Sequence, residues 1–162
     1  MSAASQTRVR TASLRDHDVM CTLFDERDAF HREARPDMFQ PFAGPARTRE
    51  QVARWLSEAG STILVAENEE GVVGLAVLLT RPAATFAGTV PRKVIELDNL
   101  VVRADQRNKK IGRRLLAATM EWARDRKATH VEVGVHAFNK DARRFYEGFG
   151  FQPSIDRLML VA

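Results

Sequence analysis

The chain of 162 residues is 44% hydrophobic and 28% charged, a mixture typical of a globular protein, and we expect residues 1–162 to form one domain. Its 25 basic and 21 acidic residues are interspersed and give a net charge of +4, which favours an anionic ligand and disfavours a nucleic-acid-binding tail. A single cysteine excludes an internal disulfide and favours a reducing compartment, the cytoplasm.

The first third of the chain predicts one strand and two helices. Residues 7–12 are typical of a short strand, and apolar side chains at helical spacing predict a helix from Ser13 to Glu33. The segment 34–48 contains three prolines and three large apolar side chains, which predicts a loop that packs over another part of the molecule. A second helix is predicted over 48–59, ending before Gly60.

The sequence of the rest of the chain predicts more strands than helices. Strands are expected at 61–68, 72–81, 94–102, 130–137 and 157–162, and helices at 111–126 and 139–147. A long loop precedes the strand at 94–102. This order combines an antiparallel meander with one strand–helix–strand crossover, which makes two strands parallel. The fold class is therefore mixed α/β.

The segment QRNKKIGRRLL, residues 106–116, places five cations around the predicted start of the third helix. A helix N-terminus carries partial positive charge, so a basic cluster there is destabilising unless an anion binds. The free N–H groups of a strand–turn–helix junction suit pyrophosphate. Neither an ATP-binding P-loop nor a G-x-G-x-x-G turn is present. A solvated basic helix start is the alternative.

The turn QRNKKIG, preceded by LDNLVV, resembles the acetyl-CoA turn [QR]-x-x-G-x-[GA] of the GNAT N-acetyltransferases. Arg107 takes the first position and Gly112 the last, while Lys110 replaces the first glycine. We expect Lys110 to keep a negative φ and to direct its ammonium group towards a phosphate of CoA; weaker cofactor binding is the alternative. The resemblance implies that acetyl-CoA is bound by Leu100, Val101, Val102, Arg107, Asn108, Lys109, Lys110, Ile111, Gly112 and Arg113.

The segment NKDARRFYEGFGF, residues 139–151, resembles the later GNAT motif N-x-x-A-x-x-[FL]-Y-x-x-x-G-F. The resemblance implies that Asn139 contacts the pantetheine arm and that Tyr146 lies beside the thioester sulfur, where it would act as a general acid. Asn139 is equally typical of a helix N-cap. The implied fold is a mostly antiparallel sheet, flanked by helices, that splays between strands 94–102 and 130–136 to hold acetyl-CoA.

Two carboxylates, Glu96 and Asp98, are expected on the same face of a central strand, where desolvation favours a general base. Glu96 also stands where protein-lysine members of the resembled family carry a base glutamate. His136 is an alternative base, and either acid could simply form an ion pair with Arg92, Lys93 or another arginine. The resemblance further implies a carbonyl-polarising backbone N–H at a strand bulge, expected at about 100–102.

Acetyl transfer to a primary amine of a small molecule, by direct attack, is the predicted function. Glu33, Asp37 and Phe39 are candidate acceptor contacts, whereas Cys21 is expected to be buried and not to form an acetyl intermediate. The alternatives are a protein lysine or N-terminal acetyltransferase and a weakly catalytic CoA-binding or nucleic-acid-binding module.

The sequence also predicts which partners the chain does and does not have. No signal core, membrane-length apolar run or zinc-ligand spacing is present, so we expect no membrane segment and no metal. Interspersed acids make nucleic acid an unfavourable partner. Pairing of the apolar strand 157–162 would be compatible with a homodimer, although a cover from the same chain would serve equally.

Overall fold

The computed structural model describes residues 6–84 and 86–162, so residues 1–5 of the expected domain and residue 85 of the long loop lie outside the described residues. The strands are β1 (Arg8–Thr11), β2 (Ser61–Asn68), β3 (Gly71–Thr80), β4 (Val94–Val102) and β5 (His130–Val133). The helices are α1 (His17–Ala34), α2 (Arg49–Ser57), α3 (Ile111–Asp125) and α4 (Lys140–Phe149).

The five strands form one sheet in the order β1-β2-β3-β4-β5. The first three pairings are antiparallel, and β4 pairs with β5 in parallel through the crossover that contains α3. The predicted mixed, mostly antiparallel fold is confirmed. No helix within 6–84 or 86–162 has both the length and the apolar character needed to cross a membrane.

Helices cover both faces of the sheet because β2 and β3 are buried and mostly apolar on both sides. One core lies beneath α1 and α2 and includes Met20, Phe24, Val52, Ile63 and Val77. The other lies beneath α3 and α4 and includes Leu78, Ile95, Leu97, Leu115 and Tyr146. Each helix therefore buries one stripe of its surface and leaves its opposite face in solvent.

The sheet splits between β4 and β5. Their parallel pairing runs from Val94–His130 to Leu97–Val133 and stops there, so β5 is four residues long instead of the predicted 130–137. A β-bulge begins at the same level, because Val77 pairs with Asn99 while Leu78 pairs with Leu97. The bulge is thus centred on residue 98, earlier than the expected 100–102. An extra residue bends its strand and increases the local twist, which moves β4 away from β5.

The prediction of a C-terminal strand at residues 157–162 is wrong. This segment has no strand structure, and the side chains of Leu158, Leu160 and Val161 are more than nine-tenths exposed. A strand requires a partner for its N–H and C=O groups, and within the described residues β5 pairs only with β4. Apolar alternation alone does not supply that partner.

Candidate active site

The turn before α3 contains two left-handed residues. Asn108 has φ 62° and Lys110 has φ 63°, so the expectation of a negative φ at Lys110 is wrong. Lys110 adopts the conformation that glycine tolerates best, which costs about 1 kcal/mol or more for a residue with a Cβ atom. The chain reverses sharply between the short 3-10 turn at Ala104–Gln106 and α3, and Lys110 adopts the strained left-handed φ at this reversal.

The first turn of α3 presents free hydrogen-bond donors. The Arg114 N–H is the first to find an acceptor, the Lys110 carbonyl at 3.1 Å, and the preceding N–H groups of 111–113 have no acceptor in the described part of the chain. None of the five surrounding cations forms an ion pair with a described residue: Arg107, Lys109, Lys110, Arg113 and Arg114. Free donors and unpaired positive charge fit the pyrophosphate of acetyl-CoA.

Two residues hold this turn in place. Gly112 lies against α4 so closely that a Cβ atom there would be 2.9 Å from Cζ of Phe145. Gln106 is buried and joins the turn to the β2–β3 hairpin, because its Oε1 accepts from Asn68 at 3.3 Å and its Nε2 donates to Glu70. The sequence pattern did not point to Gln106, since its partners lie more than thirty residues away in the chain.

Tyr146 occupies the inner face of α4. It is 8% exposed, with its ring against those of Phe145 and Phe151. Burial raises the pKa of Tyr146 to about 12, while the positive charge of Arg27 opposes that rise. The phenol therefore keeps its proton at neutral pH and can donate it.

Asn139 begins α4 as its N-cap. Its Oδ1 accepts the Ala142 N–H at 3.1 Å, as expected for a capping asparagine. The Nδ2 group forms no hydrogen bond with the described part of the protein, so a donor remains for a ligand in the splay.

The two acids of β4 have different surroundings. Glu96 forms an ion pair with Arg81 at 2.9 Å and is one-quarter exposed. Its partner is the residue that follows β3, whereas Arg92 pairs with Glu132 of β5 at 3.5 Å. Asp98 is exposed at the bulge and accepts a hydrogen bond from Asn99.

The inner face of α1 carries charged and ring-bearing residues that the apolar pattern of the sequence did not reveal. Arg27, Asp28 and His31 continue the stripe that begins at Met20 and Phe24. Asp28 is held by Arg47, whose Nη1 donates at 2.9 Å, and lies 3.4 Å from Nη1 of Arg27. These contacts were hidden because Arg47 comes from the segment between α1 and α2.

Five rings form a cluster where α1, the segment 34–48 and the chain beyond β5 meet. The closest pair is His31 with His136, whose centroids are 5.1 Å apart; Phe39 lies 5.4 Å from each histidine, and His136 stacks on Phe138 at 5.5 Å. Phe30, which is half-exposed, completes this ring cluster through Phe138. The expected packing of loop 34–48 is thus present, and His31 is part of it.

The two histidines of the ring cluster are neutral at neutral pH. Burial lowers the pKa of His31 and that of His136 below their usual 6.5, and the positive charge of Arg27 lowers both further. The Nδ1–H of His31 donates to the Arg27 carbonyl at 2.8 Å, which orients the ring.

Other candidates lie outside this arrangement. Asp37 pairs with Arg35 at 2.6 Å, Glu33 is exposed, and Cys21 donates to the Arg47 carbonyl at 3.3 Å. A cavity of about 370 Å³ lies beside α2 and is lined by Trp55 and Leu79 rather than by the residues described above. No group of three metal-ligating side chains occurs among the residues the structure describes.

Comparison with known proteins identifies the family. The model of the acetyltransferase (GNAT) family matches residues 27–151. The chain belongs to this family. Its match to N-acetyltransferase 8 of Homo sapiens is 31% identical over 98 residues, which is 60% of this chain and 41% of that protein. This GNAT chain therefore matches about two-fifths of the length of its human relative.

Solved structures share the fold. A tetramutant of the BH1408 protein of Bacillus halodurans has a TM-score of 0.90 at 22% identity, over 96% of this chain and 99% of that one. The aminoglycoside N-acetyltransferase AAC(6')-Iy, in complex with CoA, has a TM-score of 0.75 at 15% identity, over 100% of this chain and 97% of that one. The GNAT family uses acetyl-CoA, and the α3 turn and the β4–β5 splay have the donors and shape to receive it.

Proposed function

We propose that this GNAT protein is an acetyl-CoA-dependent N-acetyltransferase that acetylates a primary amine of a small molecule by direct attack. The observation that carries the proposal is the start of α3, where three free N–H groups are surrounded by unpaired cations. The buried, protonated Tyr146 on the adjoining helix supports the same reaction. Similarity to aminoglycoside acetyltransferases supports a small-molecule acceptor.

Binding of the cofactor would use the α3 turn and β4. The N–H groups of 111–113 and the cations of the turn would hold the pyrophosphate, with the Lys110 ammonium as an added phosphate contact. Residues 100–102 of β4 and Asn139 would border the pantetheine arm in the splay. The bulge at residue 98 would supply the N–H that polarises the carbonyl.

Bound acetyl-CoA supplies a thioester whose carbon–sulfur bond breaks as the amine nitrogen bonds to the acetyl carbon and the sulfur leaves with the electron pair. Glu96 accepts the proton that the amine loses. Tyr146 donates its phenolic proton to the departing sulfur. Proton exchange with solvent then restores both side chains, and the products are the amide and CoA thiol.

His136 is a second candidate for the base. Its lowered pKa leaves a neutral imidazole at working pH, and its ring lies at the end of the splay. Glu96, by contrast, already pairs with Arg81, so it would accept the proton through an intervening water. The pH dependence of kcat/KM for Glu96→Gln and His136→Asn distinguishes the two.

Closure of the acceptor side favours a small molecule over a peptide. Phe39 brings loop 34–48 against the end of α1 and the chain beyond β5. A protein lysine or N-terminal acetyltransferase, which the position of Glu96 favours, would require an open groove at this place. A weakly catalytic CoA-binding or nucleic-acid-binding module would not require the Tyr146 hydroxyl.

The test is CoA thiol release from acetyl-CoA with a panel of small amines and lysine peptides, for the native protein, Tyr146→Phe and Glu96→Gln. Turnover with small amines that falls in both variants supports the proposal. Turnover only with peptides supports the protein acetyltransferase. Binding of acetyl-CoA without any turnover contradicts the enzymatic role.

We also propose that residues 1–162 form one N-acetyltransferase domain that works in the cytoplasm as a homodimer. Exposed apolar side chains in 157–162 and a β5 edge with no described partner support strand exchange between two copies. Light scattering of the native protein and of Leu160→Lys tests the dimer: the variant should shift towards monomer.

A further inference from the structure

Arg27 is a charged residue on a face of α1 that is otherwise used for packing. It follows Phe24 by three residues and precedes His31 by four, so all three share the inner face of the helix. Its side chain is about one-quarter exposed, and burial lowers its pKa. A guanidinium in such a place is costly unless carboxylates or other acceptors satisfy its five donors.

The protein satisfies Arg27 incompletely. Its one hydrogen bond within the described residues is a long contact of 3.4 Å from Nη1 to Asp28. Asp28 is held more closely by Arg47, which donates at 2.9 Å. The carboxylate is therefore shared by two guanidinium groups, and this triad carries a net charge of +1. Arg47 is further stabilised by the Ala46 carbonyl at 2.6 Å and by the ring of Phe24, whereas the other donors of the partly exposed Arg27 have no partner among the described residues.

Arg27 lies on the face of α1 that also carries His31, whose ring is 5.1 Å from that of His136 beyond β5. Its positive charge adds to the burial that lowers the pKa values of His31 and His136, and it opposes the rise that burial causes in the pKa of Tyr146 on α4. The charge of Asp98 at the β4 bulge acts on Arg27 in turn. A molecule between Asp98, Tyr146 and the ring cluster would thus meet the free donors of Arg27.

We propose that Arg27 binds a carboxylate of the acceptor, so that the substrate is an amino acid or a similar amine bearing a carboxylate close to its nitrogen. This inference rests on the proposed acetyl transfer. Asp98 attracts the ammonium end before deprotonation, and the ring cluster contacts an apolar side chain. A net charge of +1 at the triad matches a single carboxylate rather than a phosphate dianion, and the flat guanidinium fits the two oxygens of a carboxylate.

A carboxylate site at Arg27 would give the acceptor pocket the opposite charge to the one expected from the sequence. Glu33 and Asp37 were candidate contacts for a cationic amine, but Asp37 is neutralised by Arg35 and Glu33 is exposed. Arg27, by contrast, is a partly buried cation on the inner face of α1.

The experiment uses amino acids in three matched forms: the free acid, the carboxamide and the decarboxylated amine, for example phenylalanine, phenylalaninamide and 2-phenylethylamine. CoA thiol release is measured for the native protein, Arg27→Gln, Arg27→Lys and Arg32→Gln. Arg32 is the control because it lies on the same helix and forms no ion pair with a described residue.

The native protein should prefer the free acid by about tenfold or more in kcat/KM, because an Arg–carboxylate pair is charge-assisted. Arg27→Gln should raise KM for the free acid by about tenfold to a hundredfold, while leaving the two uncharged forms within about twofold. Arg27→Lys should recover part of the loss, and Arg32→Gln should resemble the native protein. Equal turnover of all three forms, or an equal loss for all in Arg27→Gln, overturns the role of Arg27 and leaves acetyl transfer intact.

Calorimetry separates this inference from the proposed function. If no amine is turned over, acetyl transfer fails, and titration with N-acetylphenylalanine still tests the anion site directly. Saturable binding that disappears in Arg27→Gln but not in Arg32→Gln supports a carboxylate site at Arg27. Absence of binding to the native protein overturns it.

Discussion

The proposed cofactor side and the proposed acceptor side of the cleft are built in different ways. The proposed cofactor side is a continuous stretch, 107–113, whose backbone N–H groups and cations follow one another along the chain. The proposed acceptor side brings together α1, the segment 34–48 and the chain beyond β5, and its key contacts join Asp28 to Arg47 and His31 to His136. A local site leaves a motif in the sequence, whereas a site made of distant segments does not.

The largest effect on activity is expected at Tyr146, where the cofactor side meets the acceptor side. Tyr146→Phe removes the acidic proton but keeps the ring, so kcat should fall about a hundredfold or more while KM for acetyl-CoA changes little. Thiol release under saturating acetyl-CoA measures this, and the melting temperature of the variant serves as the control for folding. An unchanged kcat would remove Tyr146 from the chemistry.

The comparison also explains which sequence predictions succeeded. The bounds of β2 and β4 agree with the predicted 61–68 and 94–102, because both segments are rich in the apolar and β-branched side chains that favour strands. Residues 134–137 were predicted as strand and are not, since pairing with β4 ends where the bulge begins. A bulge depends on the partner strand, and one strand's sequence does not contain that information.

The candidate site was predictable to a similar extent. The α3 turn and Tyr146 were predicted from their resemblance to family motifs and remain predictions, and the structure brings the helices that carry them together through Gly112 and Phe145. The left-handed φ of Lys110 was not predictable, because a lysine gives no signal of that conformation. His31 was missed because its ring partners come from other segments, and Arg27 was missed because a charged residue does not show in the apolar pattern of α1.

Gly112→Ala tests the proposed cofactor side by disturbing the packing at the start of α3. The added Cβ would be 2.9 Å from Cζ of Phe145, so the start of α3 or the ring must shift. We expect KM for acetyl-CoA to rise about tenfold, because small misplacements of binding donors are costly. The matched control is Gly148→Ala on α4, where a Cβ atom meets nothing within 4 Å. Equal KM values for both variants would contradict a close-packed turn.

The dependence of the free energy of unfolding on pH tests the acceptor side, whose contacts join distant segments. The pKa values of His31 and His136 lie below 6.5 in the folded protein, so the unfolded chain binds more protons below that pH. Their contribution to the free energy of unfolding is therefore complete above about pH 7 and is lost as pH falls through the folded values. Chemical denaturation between about pH 7 and pH 5 should show a shallower loss for His31→Asn than for the native protein. An identical slope would place the titration elsewhere.

The smallest effect is expected at Lys110. Replacement by glycine removes the left-handed strain, whereas replacement by alanine keeps it, so Lys110→Gly should be more stable than Lys110→Ala by about 1 kcal/mol. Both variants lose the ammonium group, and both should raise KM for acetyl-CoA by a similar factor of about two to five. Denaturant unfolding and thiol release measure the two effects separately. A native KM in both variants would remove Lys110 from phosphate binding.

Calorimetric titration of acetyl-CoA into the native protein and into Arg113→Gln tests the central claim, that the start of α3 is the cofactor site, most directly. We predict binding at one site, weakened by added salt and weakened further by the substitution, because the contacts are charge-assisted. Absence of binding to the native protein, or binding that neither salt nor the substitution alters, would contradict the claim.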